Sequence, residues 1–296
     1  MSMAAAAALL LVAALPAGAV TTNTLSQAST AGDGACGIDL SADSVVSSGT
    51  VSFDRGASRP DGGAACMITY GARAGGGAVG VGLTMTSDGT TRGDTVIVTA
   101  RSQFDLAFDT TADWDGNPID VALTTRATGM LSRSTGGIYN GSSQLEGFFF
   151  ARGRRNATSI SDQANLPTST LRSTDPTSPV PIARDLTVTL NDIDPLRGIT
   201  VILSLTGTVR GVGDFTLQVG ALDSLGFVLG EQIIGSLPTG VTLRDDPTLG
   251  IVNGAFVSTI PLPPAGLALL AAIGALAARR RVKGKSAISG SNSTAR

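Results

Sequence analysis

The chain has 296 residues, 38 of them Gly, with 4% aromatics and only 15% charged residues against the roughly 25% of an average soluble domain. The absence of His excludes a Ser-His-Asp or Cys-His relay, a His-ligated zinc centre and an imidazole proton shuttle. Six of the 21 basic residues, including both lysines, Lys283 and Lys285, lie after Ala278, which leaves 15 Arg against 23 acids and a net charge near −8 before that point; such an acidic body is not expected to bind nucleic acid, whose phosphates call for a clustered basic face.

Residues 4–15 form an uninterrupted apolar, Ala-rich run, followed by Pro16 and the small residues Ala17, Gly18 and Ala19. The pattern predicts a secretory signal peptide over residues 1–19, cut by signal peptidase; the run is too short for a comfortable membrane span. Its n-region carries no Lys or Arg. In an oxidising, exported setting the two cysteines, Cys36 and Cys66, are expected to form a disulfide, worth about 3–4 kcal/mol in the chain-entropy view.

Residues 20–259 are expected to be the exported body, an all-β domain with an antiparallel β-sandwich or jelly-roll-like arrangement. Short alternating runs rich in Val, Thr, Ile and Leu predict strands at 45–53, 67–72, 79–86, 95–101 and 104–108. The same pattern continues at 119–125, 145–151, 186–190, 199–209, 215–221 and 251–259. Run 199–209, ITVILSLTGTV, predicts one buried face and one hydroxyl-bearing face. Residues 152–184 are polar and carry Pro167, Pro176, Pro179 and Pro181, which reads as a long surface loop or, alternatively, a domain boundary.

Candidate chemistry clusters in three acidic stretches. In DTTADWDGNPID, Asp113, Asp115 and Asn117 stand at alternate positions between Asp109 and Asp120, a donor set suited to Ca²⁺. Pro118 stands where an EF-hand would have its Gly, and the composition equally suits a tight turn. NDIDP at 191–195 and the Asp245-Asp246-Pro247 run pose the same choice. Trp114, inside the first stretch, is either a ring that stacks on sugar or a core residue, and Phe148-Phe149-Phe150 should straddle a strand with one face buried. Glu146 and Glu231 are the two Glu residues, and their spacing suggests no glycosidase pair. The body is therefore expected not to be an enzyme and to need no cofactor, with Ca²⁺ the candidate ion.

The C-terminal block is set apart. Ile260, Pro261, Leu262, Pro263, Pro264 and Ala265 precede an uncharged run to Ala278, then Arg279, Arg280 and Arg281. At 1.5 Å per residue the run from 265 to 278 reaches about 21 Å, short of the roughly 30 Å hydrocarbon core. The Arg cluster predicts an inward C terminus and an outward body.

This arrangement resembles the PEP-CTERM class of bacterial sorting signals, in the variant named for Val-Pro-Leu-Pro-Ala. Ile260 replaces the motif's Val, and Pro264 is an extra residue before Ala265. The resemblance covers about the last 40 residues. It implies recognition and cleavage by an exosortase, so that residues 260–281 are a removable sorting motif, helix and Arg cluster, and 282–296 a cytoplasmic tail. It further implies an inner-membrane intermediate in a Gram-negative bacterium, then the cell surface or extracellular matrix. The function expected from both ends is structural or adhesive, in an exopolysaccharide layer. A carbohydrate- or Ca²⁺-binding module and a glycan-active enzyme are the alternatives.

Overall fold

Along residues 95–106, Val96, Val98, Ala100, Phe104 and Leu106 are buried while Thr95, Ile97, Thr99, Arg101, Gln103 and Asp105 face outward. This period of two holds because successive side chains of an extended strand leave opposite faces. The computed structural model describes residues 22–31, 44–47, 51–59, 66–75, 77–134, 139–220, 228–229, 237–249, 251–253 and 255–256. The expected signal-peptide and sorting segments, and Cys36 of the expected Cys36–Cys66 disulfide, lie outside the described residues.

The described chain is antiparallel β-structure. Its strands are β1 (Thr22–Ala31), β2 (Ser44–Ser47), β3 (Val51–Arg59), β4 (Cys66–Gly75), β5 (Ala78–Leu106), β6 (Phe108–Thr110), β7 (Ile119–Arg133) and β8 (Tyr139–Arg155). There follow β9 (Thr158–Arg172), β10 (Val180–Ile193), a 3₁₀ turn at Pro195–Arg197, and β11 (Ile199–Gly220). The last are β12 (Val228–Leu229), β13 (Val241–Leu243), β14 (Ile251–Val252) and β15 (Ala255–Phe256). Among the described residues no helix is long and apolar enough to cross a membrane.

Among the described residues, eleven strands form one sheet around two long central strands, β5 and β11, which pair with each other along both halves. Each changes its outer partner midway. On β5, residues 78–87 pair with β4 and residues 94–103 with β1. On β11, residues 200–213 pair with β8 and residues 217–220 with β7.

The change of partner marks a corner. An ideal Cβ on Gly207 would lie 3.3 Å from Val81 Cγ2 and 3.4 Å from Val219 Cγ1. Gly207 and Val219 belong to the same strand, and twelve residues of straight strand would hold them about 40 Å apart. β11 therefore doubles back, and its irregular register between Gly211 and Asp214 is where it does so. Gly213 has φ 104°, and its carbonyl accepts a 2.9 Å hydrogen bond from Ser87 Oγ on β5. Bulges and bends of this kind let one strand serve two packed layers. On the far side, Ile193 and Leu190 of β10 lie over Gly153 of β8, although β8 and β10 share no ladder. The apolar side chains enclosed between these segments, with Phe104, Phe149 and Phe215 the largest, form one core.

The segment 152–184 is not a loop. It contains the end of β8, all of β9 and the start of β10. A two-residue turn at Asn156-Ala157, with Asn156 at φ 52°, closes the β8–β9 hairpin. Its polarity has a positional cause: β9 is an outer strand whose buried side chains are Leu166 and Leu171. Its proline sits where the ladder is already broken, because the register shifts between Leu145 and Gly147 opposite Pro167. Other boundaries differ as well. The run 45–53 is two strands, the runs 79–86 and 95–101 belong to the single strand β5, and β1 is a strand despite its Ser and Thr content.

Candidate functional site

The stretch from Asp109 to Asp120 connects β6 to β7, beside the β6–β13 pair. It is held by backbone hydrogen bonds, both within the stretch and to Gly240. Thr111 N–H donates to the Gly240 carbonyl (2.8 Å), and Trp114 N–H donates to the Thr111 carbonyl (3.1 Å). Gly240 has φ 81°, and a Cβ there would lie 2.4 Å from Trp114 N, so this close approach requires Gly.

Trp114 is half-buried and packs against the core, and its indole N–H donates to the Asn117 carbonyl at 3.1 Å. Both polar and apolar parts of the side chain are thus engaged inside the protein. Asp115 accepts the Asn117 N–H on Oδ1 and the Asn117 side-chain amide on Oδ2, each at 2.9 Å. The first of these, then the second, holds the exposed Asp115 carboxyl below the usual carboxylate range. This is an Asx turn, the geometry by which Asp reverses a chain. Asp113 is exposed, and its backbone N–H reaches Thr111 Oγ1 at 3.4 Å.

The flanking acids point elsewhere. Asp109 pairs with Arg244 at 2.7 Å, tying β6 to the residue after β13. Asp120 accepts the Asp192 N–H at 2.8 Å. In NDIDP, Asp192 has φ 59° and pairs with Arg155 at 2.8 Å, while Asp194 caps the 3₁₀ turn through Leu196 N–H and pairs with Arg197. Asp246 accepts from both Thr248 N–H (2.9 Å) and Thr248 Oγ1 (2.6 Å). In each of the three acidic stretches one carboxylate thus accepts a backbone N–H two residues on: Asp115 from Asn117, Asp194 from Leu196 and Asp246 from Thr248. Among the described residues no three acidic or Cys side chains gather closely enough to hold a metal ion.

A second surface joins two runs that the sequence pointed to separately, Phe148-Phe149-Phe150 and 199–209. Phe149 is buried, and its neighbours Phe148 and Phe150 are half-buried on the opposite, outer face of β8. In register beside them on β11 are Ile202, which is half-buried, and Ser204, which is buried. The predicted hydroxyl face exists: Thr206 meets Thr99 across the ladder at 3.0 Å, and Thr200 Oγ1 donates to Asp105 at 2.7 Å. The signal that would have found this surface is alternation read across paired strands, which requires the register.

No family model, curated protein or solved structure matched the chain.

Proposed function

We propose that this chain is a non-enzymatic, exported surface or extracellular-matrix protein whose β-sandwich body acts structurally or adhesively in an exopolysaccharide layer. The observation that carries the reading is the C-terminal block: the Pro motif from Ile260 to Ala265, the short apolar run and Arg279-Arg280-Arg281 follow one another, with a signal-like segment at the other end. An anchor for permanent residence would need about 20 apolar residues, and the uncharged run has 14. The segment is better suited to transient insertion and cleavage by an exosortase. The folded-back antiparallel sheet supports the sandwich reading, because β11 contributes side chains from both its halves to one core.

The test is mass spectrometry of the surface fraction from cells with and without the exosortase. Processing predicts mature protein that lacks Lys283-containing peptides and that disappears from the surface when the exosortase is absent. Surface protein that retains those peptides would refute the sorting reading.

The exposed Asp113 and Asp115 carboxylates favour a second reading, a Ca²⁺- or carbohydrate-binding role for the Trp114 loop. A thermal shift with Ca²⁺ reversed by EGTA, or a Trp114 fluorescence change on adding polysaccharide, is its expected sign; silence in both measurements excludes it.

A further inference from the structure

We infer that the outer face of β5, β11, β8 and β9 is a binding surface for an acidic polysaccharide. The reading of the chain as an exported matrix protein supplies the class of polymer, and the inference rests on it to that extent; the geometry is independent. Phe148 and Phe150 stand two residues apart on β8, about 7 Å along the strand, with Ile202 beside Phe150 in register. One ladder row reads Gln163, Phe150, Ile202, Gln103, and the next reads Asn165, Phe148, Ser204, Arg101. Each row therefore sets a half-exposed ring beside a planar amide on β9, with a second planar group, Gln103 or Arg101, one strand further on across β11. Gln163 Nε2 donates to Asn165 Oδ1 at 2.6 Å, which fixes both amides on the surface.

Charge selects the polymer. The body is acidic, yet this face carries exposed Arg101, Arg152, Arg154 and Arg210 against Asp105 and Glu146. None of these four arginines pairs with a carboxylate among the described residues. A guanidinium binds carboxylate through two parallel hydrogen bonds, and the C–H face of a pyranose ring packs against an aromatic ring. A uronate-bearing chain offers both groups in repetition, and a face four strands wide at about 4.8 Å spacing offers room for several sugars.

The test uses the full chain in detergent, titrated with polygalacturonate, dextran and duplex DNA, beside an R101Q/R152Q variant. Expected are saturable polygalacturonate binding that weakens with salt, and a loss of about ten-fold or more in the variant, as for removal of charged hydrogen bonds. Dextran and DNA should bind more weakly by a similar factor. The basic residues after Ala278 are unchanged in the variant, so polyanion binding by the tail would survive the substitutions and overturn the proposal. DNA binding as tight as polygalacturonate binding, or no polymer binding at all, would do the same. F148A, with its melting temperature checked, should weaken polygalacturonate binding without altering the salt dependence; unchanged affinity would remove the ring from the site. Fractionation of the same cells separates the two readings. A protein that binds but is not exported refutes the matrix function, and one that is exported but does not bind refutes this surface.

Discussion

Asp115 shows how a residue that suggests a ligand can also shape a chain. Both of its oxygens accept from Asn117, and its folded-state pKa is depressed by those bonds. The stabilisation from a depressed carboxylate is present above the unfolded pKa and is lost as pH falls through the folded value. The chain has a single Trp, and its indole N–H ends on the Asn117 carbonyl of the same turn. Trp fluorescence should therefore hold steady down to the usual carboxylate range and shift at more acidic pH, and D115N should lack that step. A step that persists in D115N would assign it to another group. Ser143 is a different case: its Oγ is fully buried on β8 with no hydrogen-bond partner among the described residues. An orphaned buried hydroxyl costs about 1–3 kcal/mol, so S143A should raise stability by about 1 kcal/mol in urea denaturation. A fall of that size would mean that the hydroxyl is bonded. The turn role of Asp115 is one of the two readings its local sequence allows, whereas that of Ser143 is not legible there, because it depends on what lies around a buried hydroxyl.

At the scale of elements, β11 carries most of the architecture. Its sequence announces strand by alternation in both halves, but the Gly-rich stretch Gly211-Val212-Gly213 reads as a break between two strands. In the structure the break is a bend inside one strand. Gly211 permits it: an ideal Cβ there would lie 2.5 Å from the Phe215 ring, which is itself buried. G211A is expected to cost about 1–3 kcal/mol, the range for overpacking a core. Gly220 on the same strand meets nothing nearer than the Met130 carbonyl at 3.6 Å, so G220A should be close to neutral. Equal stability of the two variants would show that the corner does not depend on Gly211. β9 teaches the complementary lesson. Its Ser, Thr and Pro content reads as loop, yet a strand at the margin of a sheet needs few apolar residues, and a proline at a bulge removes no ladder hydrogen bond.

For the whole molecule, composition and tertiary structure answer different questions. Cleavage within the Pro motif would remove six basic residues and no acid, taking the net charge from −2 to near −8. On isoelectric focusing the surface form should run more acidic than the precursor retained without exosortase; coincident bands would contradict removal of the tail. The sequence by itself determined the all-β, antiparallel class, the acidic body and the hydroxyl-bearing face of 199–209, because each follows from residue type and a period of two. Tertiary structure alone decided that 152–184 is a hairpin strand and its continuation, that β5 and β11 bend to serve two sets of partners, and which backbone N–H groups and arginines the carboxylates of the acidic stretches meet. It also decided that Phe148, Phe150, Arg101 and Arg152 share one surface. Those outcomes depend on pairing between residues far apart in the chain, as between Arg101 and Ser204, and local pattern fixes which face a side chain takes but not which strand lies beside it.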